Sequence, residues 1–126
     1  NVRVAIGSSV DSAVKHLRRV VRDDEVEIRV IGRGEPAPVS PVTGQAWAML
    51  SSAVQTTFES VIVAPYVQTG ATDSRHFTEI ASAIYRFAPF EVSRDERDAL
   101  HAKNERIHVA SYLRGIEFYR ALINAL

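Results

Sequence analysis

Two polar clusters carry the side chains that could do chemistry. The first is Gln68-Thr69-Gly70-Ala71-Thr72-Asp73-Ser74-Arg75-His76, and the second is His101-Ala102-Lys103-Asn104-Glu105-Arg106. In the first, Arg75 offers a fixed cation whose planar fork can hold a carboxylate or a phosphate through two parallel hydrogen bonds. The same residue has a bland use: Asp73 and Arg75 can pair with each other and simply brace the loop. In the second, His101 can ligate a metal, but a lone His is more often a surface or packing residue. Zinc takes about three protein ligands plus water, and nothing else in the sequence completes such a set.

Composition narrows the setting for these clusters. The chain has 126 residues, 46% hydrophobic and 24% charged, which suits a folded domain and not a disordered segment. Lys and Arg together number 15, as do Asp and Glu, so no basic excess points to nucleic acid. No apolar run is long enough to span a bilayer. The absence of cysteine excludes disulfides and thiolate metal sites. The chain opens on Asn1 inside a strand-like run, and is expected to be the remainder of a longer polypeptide. No signal peptide is visible, and the compartment stays open between the cytoplasm and a secreted or periplasmic location.

The elements that must position the clusters follow from periodicity. Val2, Val4 and Ile6 alternate with Arg3 and Ala5, a half-buried strand pattern, and Val26 to Val30 alternates in the same way. Between them Val10, Ala13, Val14, Leu17, Val20 and Val21 follow helical spacing. Ser9 is placed as the N-cap, with Asp11 in the first turn and Asp23-Asp24 at the end. Residues 1–33 therefore read as a β-α-β unit with one wet sheet face. Such a unit, at about 30 residues, is too small to close its own core and needs a partner. Gly32 to Pro38 concentrates Gly and Pro and marks the boundary, leaving 34–126 as the second segment.

Beyond that boundary Ala46 to Phe58 supports a helix, and Val61-Ile62-Val63-Ala64 reads as a strand buried on both faces. The first polar cluster follows this strand, and ligands of open α/β sheets bind beyond the carboxyl ends of strands. Ala83 to Ala88 reads as another strand that stops at Pro89. Ser93-Arg94-Asp95-Glu96 is a capping-box pattern that opens a short helix ahead of His101. A final helix is expected to bury Val109, Tyr112, Leu113, Ile116, Tyr119, Leu122 and Ile123. The expected fold is α/β with a mainly parallel sheet.

Taken together, several stretches resemble the di-zinc aminoacylase and carboxypeptidase family of metallopeptidases. They are Ala64-Pro65-Tyr66, Gly70-Ala71-Thr72-Asp73-Ser74-Arg75-His76-Phe77, Tyr85-Arg86-Phe87-Ala88-Pro89 and His101-Ala102-Lys103-Asn104-Glu105-Arg106-Ile107. The family includes aminoacylases, carboxypeptidase S and succinyl-diaminopimelate desuccinylase. The resemblance covers essentially the whole chain. The pairing of Thr-Asp-Ser-Arg-His with His-x-x-Asn-Glu-Arg is its most specific part; either half alone is weak. Three positions depart from the family's pattern: Ile6-Gly7 stands where Pro-Gly is common, Ala71 where Gly often precedes Thr-Asp, and Ala102 where Gly often follows the His.

The resemblance implies roles for individual residues. His101 matches the family's last zinc ligand, and Arg75 the residue that holds the substrate carboxylate. Gly70 and Thr72 match positions lining the substrate pocket, and Asn1 a lid position able to reach substrate. Asp73 and Glu105 match groups that orient ligands or brace loops. His76 is read as structural, His16 as solvated and His108 as a helix-terminus residue. By the same resemblance, 1–33 ends a lid domain through which the family commonly forms homodimers. Residues 34–126 then form the C-terminal segment of a zinc-peptidase-like α/β sandwich. The implied activity is zinc-dependent hydrolysis of an amide bond in a small peptide or N-acyl amino acid, with two zinc ions in the intact enzyme. The other ligands and a Glu general base lie upstream, so these residues alone are expected to be inactive and to bind zinc poorly or not at all. Two competing readings stand beside this one: a non-catalytic dimerisation or binding module, and an anion- or phosphate-binding domain built on the Gly70–Arg75 loop. The latter lacks a Walker or dinucleotide glycine pattern.

Overall fold

Ser9 begins the first helix as its sequence requires. Its side chain accepts from the Ser12 backbone N–H at 3.1 Å, which satisfies one of the donors a helix start leaves free. The computed structural model describes residues 1–68, 70 and 72–126. Its helices are α1 (Val10–Val21), α2 (Gln45–Thr57), α3 (Arg94–Asp98) and α4 (Val109–Asn124), with a 3-10 turn at Asp73–Phe77.

The expected α/β fold is not what forms. Among the described residues there is no strand and no sheet: 2–6, 26–30, 61–64 and 83–88 all run as irregular backbone. The β-α-β reading of 1–33 keeps only its helix, and no sheet sandwich is built over 34–126. The physical reason is that alternation reports which side chains avoid water, whereas a strand exists only when its N–H and C=O groups meet a second strand. A helix closes those bonds within itself, so capped apolar repeats fold here and the alternating segments do not. Two short strands alone are marginal in water, so nothing forces them to pair.

The chain divides into two compact units. The first comprises Asn1–Ser40 and Val67–Ile84. Here α1 stops at Arg22, which adopts the left-handed conformation (φ 50°) and donates its N–H to the Arg18 carbonyl. The 33–35 segment folds back onto the start of α1. Glu35 accepts from the Val10 N–H at 3.1 Å, and Arg33 pairs with Asp11 at 2.5 Å. An anion on the first turn complements the helix dipole. The Arg33 guanidinium, through its hydrogen bond and its charge, holds the Asp11 carboxyl below its ordinary range. Among the described residues Val10 is the buried hydrophobic of this unit, and Val20, Val30 and Ile31 stay exposed, Ile31 at 92%.

The second unit comprises Pro41–Tyr66 and Tyr85–Leu126 and holds the core. Ala53, Val54 and Phe58, from α2 and its end, pack with Phe118 of α4, and Leu50, Val63, Ala121 and Leu122 are half-buried around them. The face that α4 buries is Ser111, Gly115 and Phe118. That corrects the expected stripe: Val109, Tyr112, Leu113, Ile116, Tyr119 and Ile123 all remain exposed. Gly115 allows a close approach, because a Cβ there would lie 2.7 Å from Phe90 Cδ1 and nearer still to Cε1. Phe90 in turn stacks on Tyr112, with ring centroids 6.3 Å apart. Ser111 Oγ donates to the Glu91 carbonyl at 2.7 Å, and Arg114 pairs with the Glu91 carboxylate. These contacts anchor the segment that leads into α3.

Candidate functional site

The loop carrying His101 is held by two carboxylates. Ser93 caps α3 in the expected capping box: its hydroxyl accepts from the Glu96 N–H at 3.2 Å, and Glu96 Oε2 accepts from the Ser93 N–H at 2.8 Å. The other oxygen of Glu96 reaches further. Oε1 accepts from the backbone N–H of His108, the N-cap residue of α4, at 2.9 Å. One side chain thus joins the start of α3 to the start of α4, and only 5% of Glu96 is exposed. The Ser93 backbone N–H holds the Glu96 carboxyl below its ordinary range. The Ser93 side chain adds to this, burial opposes it, and the His108 N–H and then the His108 charge lower it a little further.

Inside the loop, Glu105 Oε2 accepts from the His101 backbone N–H at 3.1 Å. His101 adopts φ 63° and Asn104 φ 65°, both in the left-handed region. His and Asn enter that region more readily than most residues, but it costs a β-carbon about 1–2 kcal/mol. A bond that fixes the His101 N–H helps to offset that cost. The His101 side chain is exposed.

The other cluster belongs to the first unit. It winds into the 3-10 turn Asp73–Phe77, with Thr72 as its N-cap residue. Thr72 and Ser74 share a hydroxyl–hydroxyl bond of 2.5 Å. The Arg75 N–H closes onto the Thr72 carbonyl at 3.3 Å, and Thr78 Oγ1 donates to the Arg75 carbonyl at 3.0 Å. Arg75 Nε donates to His76 Nε2 at 3.2 Å, which engages one edge of the guanidinium. Among the described residues no acidic side chain pairs with Arg75, so the bracing Asp73–Arg75 pair is not formed. Arg75 and Asp73 are exposed and Gly70 is half-buried. Thr69 and Ala71 lie outside the described residues. Asn1 is exposed in the same unit as Arg75. A surface groove of about 400 Å³ in this unit lies elsewhere, between Asp11, Lys15, Arg18 and Arg33.

Among the described residues no three His, Asp or Glu side chains converge as a metal site. His101 is a single donor against the roughly three protein ligands zinc requires, so these residues do not by themselves fit a zinc ion. Sequence reasoning identified Ser93 and Glu96 as a capping box but missed the second Glu96 bond, whose partner is twelve residues on. It also missed Arg33 and Glu35 at the start of α1, since the Gly and Pro around them suggested only a linker.

Comparison with known proteins places these features in context. The profile of Peptidase family M20/M25/M40 matches residues 2–125. Probable carboxypeptidase S-like 2 of Dictyostelium discoideum is 36% identical over 124 residues, covering 98% of this chain and 24% of that protein. The N-fatty-acyl-amino acid synthase/hydrolase PM20D1 of Homo sapiens is 34% identical over 126 residues, covering 98% of this chain and 25% of that protein. Carboxypeptidase S of Saccharomyces cerevisiae is 32% identical over 108 residues, covering 79% of this chain and 19% of that protein. The chain spans about a quarter of the length of the first two of these curated relatives. No solved structure matches it.

Proposed function

The chain belongs to peptidase family M20/M25/M40, a hydrolase family that is generally metal-dependent, and from that premise we propose that it is the C-terminal portion of a zinc-dependent peptidase or N-acyl-amino-acid amidohydrolase. The match across residues 2–125 carries this reading. In this reading the parent enzyme hydrolyses an amide bond in a small peptide or an N-acyl amino acid, in keeping with relatives named carboxypeptidase S and N-fatty-acyl-amino acid synthase/hydrolase.

In this reading His101 donates one ligand to the metal. Its exposed imidazole and its N–H held by Glu105 suit a ligand presented from a braced loop. Arg75 holds the substrate carboxylate; it is exposed, lacks an acidic partner among the described residues, and is steadied on its Nε edge by His76. Gly70, Thr72 and Asn1 line the substrate pocket, and Asp73 braces the Arg75 turn. Zinc, when bound, supplies Lewis-acid polarisation of the amide. The remaining ligands and the general base come from other parts of the parent, so this portion alone is inactive.

The test uses the parent polypeptide. His101→Ala should lower zinc content and abolish hydrolysis, and Arg75→Ala should raise KM for carboxylate-bearing substrates more than it lowers kcat. Full activity and full zinc content in His101→Ala would sink the reading. A second reading concerns residues 1–33. They bury one apolar residue, Val10, and expose Val20, Val21, Val30 and Ile31, which favours a covering partner. A second copy is the proposed partner, and a monodisperse monomer in analytical ultracentrifugation would exclude it.

A further inference from the structure

The loop from Ala99 to Ile107 has no regular structure, yet it must present His101 in one geometry if the imidazole is to serve a metal. Glu105 fixes only the loop's interior. The elements on either side of it are joined through Glu96. Ser93 N–H and His108 N–H each donate to a different oxygen of Glu96, at 2.8 and 2.9 Å. From this we infer that Glu96 is a positioning residue for His101: from α3, just ahead of the loop that presents the imidazole, its two carboxylate oxygens tie the start of α3 to His108, the residue at the far end of that loop. The inference rests on the proposed ligand role of His101 and adds a residue to it.

The chemistry of the side chain makes the inference specific. A carboxylate has two acceptor oxygens and no donor, so it can take both backbone N–H groups at once. Hydrogen bonds to a charged group are about twice as strong as neutral ones. Gln at the same position keeps the shape of the side chain but has one acceptor oxygen. With that oxygen in the Ser93 cap, its NH2 faces the His108 N–H, donor against donor. A capping box alone needs only the Ser93 bond, and Gln serves in that role as well as Glu. The second oxygen is therefore what separates loop positioning from ordinary helix capping. The anchored end also leads directly into α4, whose Phe118 sits in the core at 1% exposure. Fixing His108 therefore refers the loop to a helix that packs into the core of this unit.

The test compares the wild-type chain with Glu96→Gln by NMR. Amide exchange is followed at His108, His101, Val54 and Phe118, and the scalar coupling that reports φ is read at His101. In Glu96→Gln the His108 amide should exchange about tenfold faster, the scale of one lost charge-assisted bond. The His101 coupling should shift toward an average over conformers, while Val54 and Phe118 keep their protection. Unchanged signals at His101 and His108 overturn the inference. A uniform rise that includes Val54 and Phe118 also overturns it, because Glu96 would then support general stability and not the loop. Glu96→Ala should lose both bonds, and its His101 signals should move at least as far as those of Glu96→Gln; a smaller movement counts against the inference. In the parent enzyme, Glu96→Gln should weaken zinc retention with the Arg75-dependent KM unchanged. The ligand reading fails separately, if His101→Ala retains its zinc.

Discussion

Replacing Gly115 by Ala sets two known effects against each other, and the structure decides which wins. In a solvated helix the change would stabilise, since Ala is favoured over Gly by about 1 kcal/mol. Here the added Cβ falls on the Phe90 ring, 2.7 Å from Cδ1 and closer to Cε1, where real β-carbons essentially never sit. The ring cannot yield cheaply, because it is stacked on Tyr112 with an interplanar angle of 7°. Overpacking a fitted contact costs about 1–3 kcal/mol, and disrupting an aromatic pair costs about 0.5–1.5 kcal/mol. Set against the helix gain, the net loss is about 0.5–3.5 kcal/mol. For a chain of this size that lowers the thermal midpoint by about 2–13 °C. The assay is thermal and urea unfolding followed by circular dichroism. Gly115→Ala combined with Phe90→Ala should be less destabilised than the two single effects summed, because the clash is gone in the double variant. Neutral or raised stability in Gly115→Ala would refute the reasoning, since it would show α4 not packed on Phe90 at this point. The prediction reaches the site as well: Phe90 precedes Glu91, which Ser111 and Arg114 anchor ahead of α3 and the His101 loop.

Two further predictions concern the same unit. Phe118→Ala removes the most buried large side chain, which contacts Phe87 and Tyr119 by its ring edges and faces, and should cost about 3–5 kcal/mol in urea unfolding; a loss below 1 kcal/mol, roughly the scale of a surface change, would contradict the assigned core. The second is a pH dependence. The folded Glu96 carboxyl lies below its unfolded value, so its contribution to stability is complete above the ordinary carboxylate range and is lost as pH falls through the depressed folded value. The unfolding midpoint should therefore fall on the acid side, and this part of the fall should be absent in Glu96→Gln; an identical acid limb in both proteins would show that Glu96 does not carry it.

What could be read from the chain in advance divides along a physical line. The caps were legible because they are local: Ser9 lies three residues from Ser12, and Ser93 three from Glu96. Helix spacing placed α1, α2 and α4 for the same reason, since a helix closes its own backbone bonds. The strands were not legible, because alternating Val2, Val4 and Ile6 or Val26 and Val30 cannot show whether any backbone lies alongside. The sheet they suggested is absent among the described residues. The buried face of α4 was misread in the same way. Its apolar residues spread widely around the helix, and packing against α2 and Phe90 selected Ser111, Gly115 and Phe118.

For the candidate site, residue types in the sequence by themselves determined the family and hence the chemistry to look for. His101, Arg75 and the residues around them have a spacing in the chain that needs no fold to be recognised. Only the tertiary structure decided how those residues are held. It left Arg75 without Asp73 and set it against His76, gave Glu105 to the His101 N–H, and turned the second oxygen of Glu96 to His108. Identity along a chain is a one-dimensional property. Which carboxylate meets which N–H depends on how the backbone turns between them, and that is settled only when the loop closes.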